Sequence, residues 1–117
     1  MDSFVRRLVE RLVAEGRPLS RNRHFHTFDT SEGRTALRIA RRLRALQRDV
    51  ARCRAEGGSV ELQRPAPPTP AGTHELCLFH RVGTHRAFLS AEELELLRGL
   101  PGIAEALGPV STPRRAG

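Results

Sequence analysis

The chain has 117 residues, room for one ordinary domain and too little for two independent enzymes. It is 38% hydrophobic, with five Phe, no Trp and no Tyr, so Leu, Val, Ile and Ala must build the core and a large catalytic cavity would be hard to enclose. Two cysteines, Cys53 and Cys77, stand in no C-x-x-C pair, which excludes a disulfide framework and a four-thiolate zinc site, and all 20 basic residues are Arg against 13 acids, a net charge of +7.

The charge is uneven. Residues 1–58 carry 14 Arg against 7 acids, whereas residues 59–117 carry 6 of each, so the whole excess sits in the first half. Such asymmetry points to a polyanionic partner. The complete absence of Lys also fits an Arg-favouring codon bias, so the placement of the arginines carries more weight than their number. No stretch approaches the ~20 apolar residues of a membrane span. The start, Met1-Asp2-Ser3-Phe4-Val5-Arg6-Arg7, lacks the order of a secretory signal, and a cytoplasmic location without integral membrane association is expected.

In chain order, residues 3–15 place Phe4, Val5, Leu8, Val9, Leu12 and Val13 at spacings of three and four, which predicts an amphipathic helix with Ser3 as N-cap and Gly16 and Pro18 beyond its end. Residues 17–29 form a connector, with alternation around His24 to Phe28 that admits a short strand or an extended loop. Asp29 as N-cap, with Glu32 three residues on, then opens a long helix that ends at Gly57-Gly58. Within it Ala36, Ile39, Leu43, Leu46, Val50 and Cys53 follow a 3-4 spacing, a heptad seam. Arg34, Arg38, Arg41, Arg42, Arg44, Arg48 and Arg52 project from the other side, where Leu37 alone intrudes. The first helix is too short to cover this seam, so the remainder meets either a sheet or the same helix of a second chain; a homodimer through residues 36–53 is the expectation slightly favoured.

Beyond the double glycine the period becomes two. Val60 to Gln63 reads as a strand, the prolines 65, 67, 68 and 70 as a stiff loop, and His74 to Arg81 as a strand apolar on both faces and so central or covered. A turn at Val82 to Thr84 leads into a hairpin partner, His85 to Leu89. Ser90 and Glu93 form a capping box for a helix over 91–98, and Ile103 to Leu107 adds one more helical turn. The expected fold is α+β: an amphipathic helix pair packed against a small antiparallel sheet of about three strands, with a C-terminal helix, as one domain over residues 1–108 and a disordered tail at 109–117.

Two segments carry candidate binding chemistry. The arginine side of the long helix could meet successive phosphates bidentately, although any surface helix must turn some polar face to water. The connector interleaves Arg17, Arg21 and Arg23 with Phe25 and Phe28, the composition of a surface that stacks bases and follows a backbone; the rings are equally what a ring-poor core needs. His24, His26, His80 and His85 would suit zinc only if they converged, and no Cys or acid stands at ligand spacing, so neither a metal nor any other cofactor is expected. No G-x-S-x-G, P-loop or H-E-x-x-H occurs, and the nearness of His24, His26, Asp29 and Ser31 in sequence implies no geometry, so no enzymatic activity is expected. The leading expectation is a small DNA- or RNA-binding protein that uses the arginine face and the connector; the alternative is a homodimeric adaptor for an acidic protein partner.

Overall fold

Asp2 starts the first helix, α1 (Ser3–Ala14): its Oδ1 accepts the backbone N–H groups of Phe4 at 2.8 Å and Val5 at 3.4 Å, and its carbonyl accepts that of Arg6 at 2.9 Å. The cap is therefore Asp2 and not Ser3, because the carboxylate one position earlier reaches the first free amides of the turn. The computed structural model describes residues 1–14, 30–65 and 70–108. The expected connector, and the cap at Asp29, lie outside them.

The long helix is α2 (Ser31–Ala55), and Thr30 caps it, with its Oγ1 accepting the Gly33 N–H at 2.9 Å and its carbonyl accepting the Arg34 N–H at 3.0 Å. The cap thus falls one residue later than the Asp29-Glu32 pairing implied. Its other end is a Schellman closure. Gly58 N–H donates to the Cys53 carbonyl at 2.8 Å and Gly57 N–H to that of Arg54 at 3.1 Å, with Gly57 at φ +81, a conformation that other L-residues rarely adopt.

The chain divides into two compact units, residues 1–46 and residues 47–117, and α2 contributes to both. In the first unit α1 buries Val5, Val9 and Leu12, and α2 buries Ala36, Leu37, Ala40, Leu43 and Leu46. Leu37 therefore belongs to the core and not to the basic face, whereas Ile39 is only half-buried. At about 100° per residue Leu37 and Ile39 point about 160° apart, so one face cannot take both, and the covered side is the one that Leu37 shares with Ala36 and Ala40. The other seam residues are already covered within one chain, and the seam offers no continuous apolar stripe to a second copy.

The second unit holds the rest of α2 and three strands, β1 (Ser59–Gln63), β2 (His74–His80) and β3 (Gly83–Leu89), in an antiparallel sheet of order β1-β2-β3. Two helices follow, α3 (Ala91–Arg98) and α4 (Ile103–Leu107); α3 lies against β3 and α4, and α4 against β1. The α3 capping box forms as its sequence implies: Glu93 N–H donates to Ser90 Oγ at 3.1 Å and Ser90 N–H to Glu93 Oε1 at 3.0 Å. With four helices and one sheet among the described residues, the fold is α+β. Register sorts the sheet into rows, since opposed residues share a face. Leu62, Leu76 and Ala87 form one row and Val60, Leu78 and His85 the next; Glu61, Cys77 and Arg86 lie on the opposite face. β2 is central and closed on both sides, with Leu76, Cys77 and Leu78 buried.

The helix end is bound tightly to this sheet. The Cys53 thiol donates to the carbonyls of Ser59 at 3.5 Å and Phe79 at 3.7 Å, and a Cβ at Gly58 would stand 2.5 Å from the Phe79 carbonyl oxygen and 2.7 Å from Cys53 Sγ. Gly58→Ala should accordingly cost about 1–3 kcal/mol or more through overpacking against rigid backbone. Gly57→Ala, where a Cβ meets nothing within 4 Å, should cost about 1–2 kcal/mol from its left-handed backbone alone. Urea denaturation of the two variants checks this: a Gly58→Ala midpoint equal to that of the parent would contradict the close approach.

Candidate nucleic-acid interface

Helical geometry decides which arginines act together. At 100° per residue, Arg34, Arg38, Arg41, Arg48 and Arg52 fall within an arc of about 80° and extend over about 27 Å of the helix. All five are exposed, while Arg42 and Arg44, on either flank of that arc, are half-buried. Their engagement differs. Arg34, Arg41, Arg42 and Arg44 have interaction partners within the chain, whereas among the described residues Arg38, Arg48 and Arg52 have no ion pair. Arg17, Arg21, Arg23 and Phe25 of the connector lie outside the described residues, as do Phe28, His24 and His26.

Sequence reasoning missed what surrounds Arg52. Asp49 and Arg52, one turn apart on α2, line a cavity of about 220 Å³ with Leu78, His80 and His85. The register explains the convergence: His85 is opposed to Leu78 and His80 to Gly83, so both imidazoles stand on the sheet face that carries Leu76 and Leu78. Leu78 is fully buried and forms an apolar floor, and His80 Nδ1 lies 3.8 Å from Glu56 Oε2. The visible signal was the pair of histidines flanking a hairpin turn. The contribution of Asp49 and Arg52 of α2, and of Glu56 just beyond its end, came from residues about 24 to 36 positions away and had no sequence signature. Among the described residues no three His, Cys, Asp or Glu side chains are placed to hold a metal ion.

A second polar cluster lies on the opposite sheet face. Glu75 is buried, its Oε1 accepts from Arg86 Nη1 at 3.1 Å, and the Cys77 thiol donates to the same oxygen at 3.6 Å. Burial, and then the neighbouring Glu75 carboxylate, push the Cys77 thiol up to about 11, against a smaller opposing pull from Arg86. A thiol so protonated is a poor nucleophile. This cluster is a structural ion pair and not a reactive centre.

No helix among the described residues is long and apolar enough to cross a membrane. No protein-family model matches the chain, and comparison with curated proteins and with solved structures finds no match either. The functional reading therefore rests on the arginine face and its surroundings.

The chain has neither Lys nor Tyr, so its two thiols are the only side chains whose ordinary pKa lies between about 8 and 11. With the Cys77 pKa raised in the folded state, the unfolded chain loses that proton first. Stability should therefore be unaffected by this group below the ordinary thiol range, and should fall as pH rises from there to about 11. Urea midpoints measured across that window should decline for the parent and decline less for Cys77→Ala; equal declines would remove Cys77 as the cause.

Proposed function

We propose that the protein binds nucleic acid through the exposed arginine face of α2, as a binding protein and not as an enzyme. The observation that carries this reading is the set Arg38, Arg48 and Arg52: three exposed guanidinium groups on one side of one helix, without ion pairs among the described residues. Each presents a planar fork of donors that fits a phosphate bidentately, and each phosphate so neutralised releases condensed counterions. The helix holds eight Arg against Glu32 and Asp49, so its own carboxylates leave most of that charge uncompensated. Guanidinium contacts of this kind fix a nucleic-acid backbone without reading base identity.

The double variant Arg38→Gln, Arg48→Gln retains helix propensity and removes two phosphate contacts. Affinity for duplex and single strands of any sequence should fall alike, and the slope of log K against log salt should flatten by about 1.8 on duplex, or about 1.4 on single strands. Fluorescence anisotropy titrations at several salt concentrations measure both quantities. A parent protein that fails to bind near physiological salt, or a variant with an unchanged slope, would refute the reading; retention of an acidic protein ligand in the same assay would transfer the face to that partner.

A further inference from the structure

We infer that the cavity between the C-terminal third of α2 and the β2–β3 hairpin is a subsite for a terminal phosphoryl group of the bound strand, a phosphomonoester held by Arg52, His80 and His85 and oriented by Asp49. The inference rests on the nucleic-acid reading of the α2 face, of which Arg52 is the last exposed member.

Size restricts the ligand first. The cavity is an open cleft of about 220 Å³, below the roughly 300–1,000 Å³ of pockets that enclose whole small molecules, so it can surround one compact group while the rest of a ligand stays outside. Its chemistry then selects the group. Arg52 is permanently charged, offers only donors and has no ion pair among the described residues, so the cavity favours an oxyanion and repels a metal ion. The absence of any three suitably placed metal-ligating side chains among the described residues agrees with that exclusion.

Asp49 makes the selection sharper, because an ionised carboxylate accepts hydrogen bonds and repels an anion that has no proton to give. A phosphomonoester has a second pKa of about 6, so at neutrality it is mostly a dianion, and a minor share, about a tenth at pH 7, still carries a P–OH that donates beside oxygens that accept; it is this monoanion that the cavity selects. Oxygens on Arg52 and His85, with the P–OH on Asp49, satisfy both kinds of wall. His80 completes the set. Its Nδ1 is the nitrogen nearest Glu56, so an N–H there faces that carboxylate and leaves Nε2 to donate to a phosphoryl oxygen or accept the P–OH, according to its protonation. Sulfate and an internal phosphodiester carry no such proton at neutral pH. The pocket should therefore distinguish the end of a strand from its interior.

The test uses the full chain and two probes. Imidazole signals of His80 and His85, followed by proton–nitrogen NMR, should shift saturably with inorganic phosphate and not with sulfate at equal ionic strength. In parallel, a short oligonucleotide should bind about ten-fold more tightly with a terminal phosphate than with a hydroxyl at the same end, tested at the 5′ and the 3′ end separately, as one charge-assisted contact implies. His85→Gln should bring the phosphate-ended strand down to the affinity of the hydroxyl-ended one, and Asp49→Asn should admit sulfate. Thermal melts of both variants that match the parent keep a folding defect from imitating this result. Phosphate shifts without any preference for phosphate-ended strands would overturn the strand-end assignment in favour of a free-phosphate site. No shift with phosphate, or equal shifts with sulfate, would overturn the subsite itself. Failure of the arginine-face reading looks different, because the hydroxyl-ended strand would then not bind at all.

Discussion

The second unit is organised by one close approach, that of the last turn of α2 to the backbone of β2. Cys53 Sγ reaches the carbonyls of Ser59 and Phe79, and Gly58 leaves no room for a side chain between them. Only a small buried thiol and a residue without Cβ fit there. The consequence lies one turn upstream, where Asp49 and Arg52 line the same cavity as His80 and His85. A second anchor acts at the same end of the helix: Gln47 Nε2 donates to the Pro101 carbonyl at 3.0 Å. Between them these contacts hold the charged flank of α2 in register with the hairpin.

Electrostatics separates the arginines by what else they can do. Arg86 is spent on the buried carboxylate of Glu75, and Arg6 on Glu10 one turn away along α1. A buried carboxylate without its partner would be costly, so the Glu75–Arg86 pair is tied to the packing of β2 and β3 and is not available to a ligand. An exposed pair such as Arg6–Glu10 contributes little. On α2 the acids are too few to repeat this pattern. Glu32 sits in the first turn, where it favours the helix dipole, and Asp49 lines the cavity with Arg52. The surplus of positive charge within this helix follows from its own composition, eight Arg against these two acids.

The sheet shows how one pleat serves two purposes. Residues of β2 alternate between a face that bears Leu76, Leu78 and His80 and a face that bears Glu75, Cys77 and Phe79. Both faces are buried at the centre of the strand, which makes β2 a rigid frame for whatever flanks it. At both ends of the first face an imidazole replaces Leu, His74 at one and His80 at the other, where the strand runs into the hairpin turn and His85 stands beside it. A polar cavity can form there because the apolar interior has ended.

Local signals sufficed wherever structure is decided by neighbours in sequence. The α3 capping box at Ser90 and Glu93, the end of α2 at Gly57-Gly58, the helical turn at Ile103 to Leu107 and the three strands were legible because hydrogen bonding within four or five residues, or strict alternation, determines them. The basic side of α2 was legible for the same reason, as helical pitch places Arg38, Arg48 and Arg52 together whatever else is present. The caps at Asp2 and Thr30 were misplaced by one residue, because several neighbouring side chains can accept the same amides and only the packed helix selects among them. Tertiary structure alone decided that Leu37 is core and Ile39 an edge, since a helix buries the side its neighbours cover and these two residues point about 160° apart. It alone gathered Asp49, Arg52, Glu56, His80 and His85, residues from a helix, its closing turn and a hairpin whose nearness depends on antiparallel register and on one glycine small enough to let a helix end touch a strand.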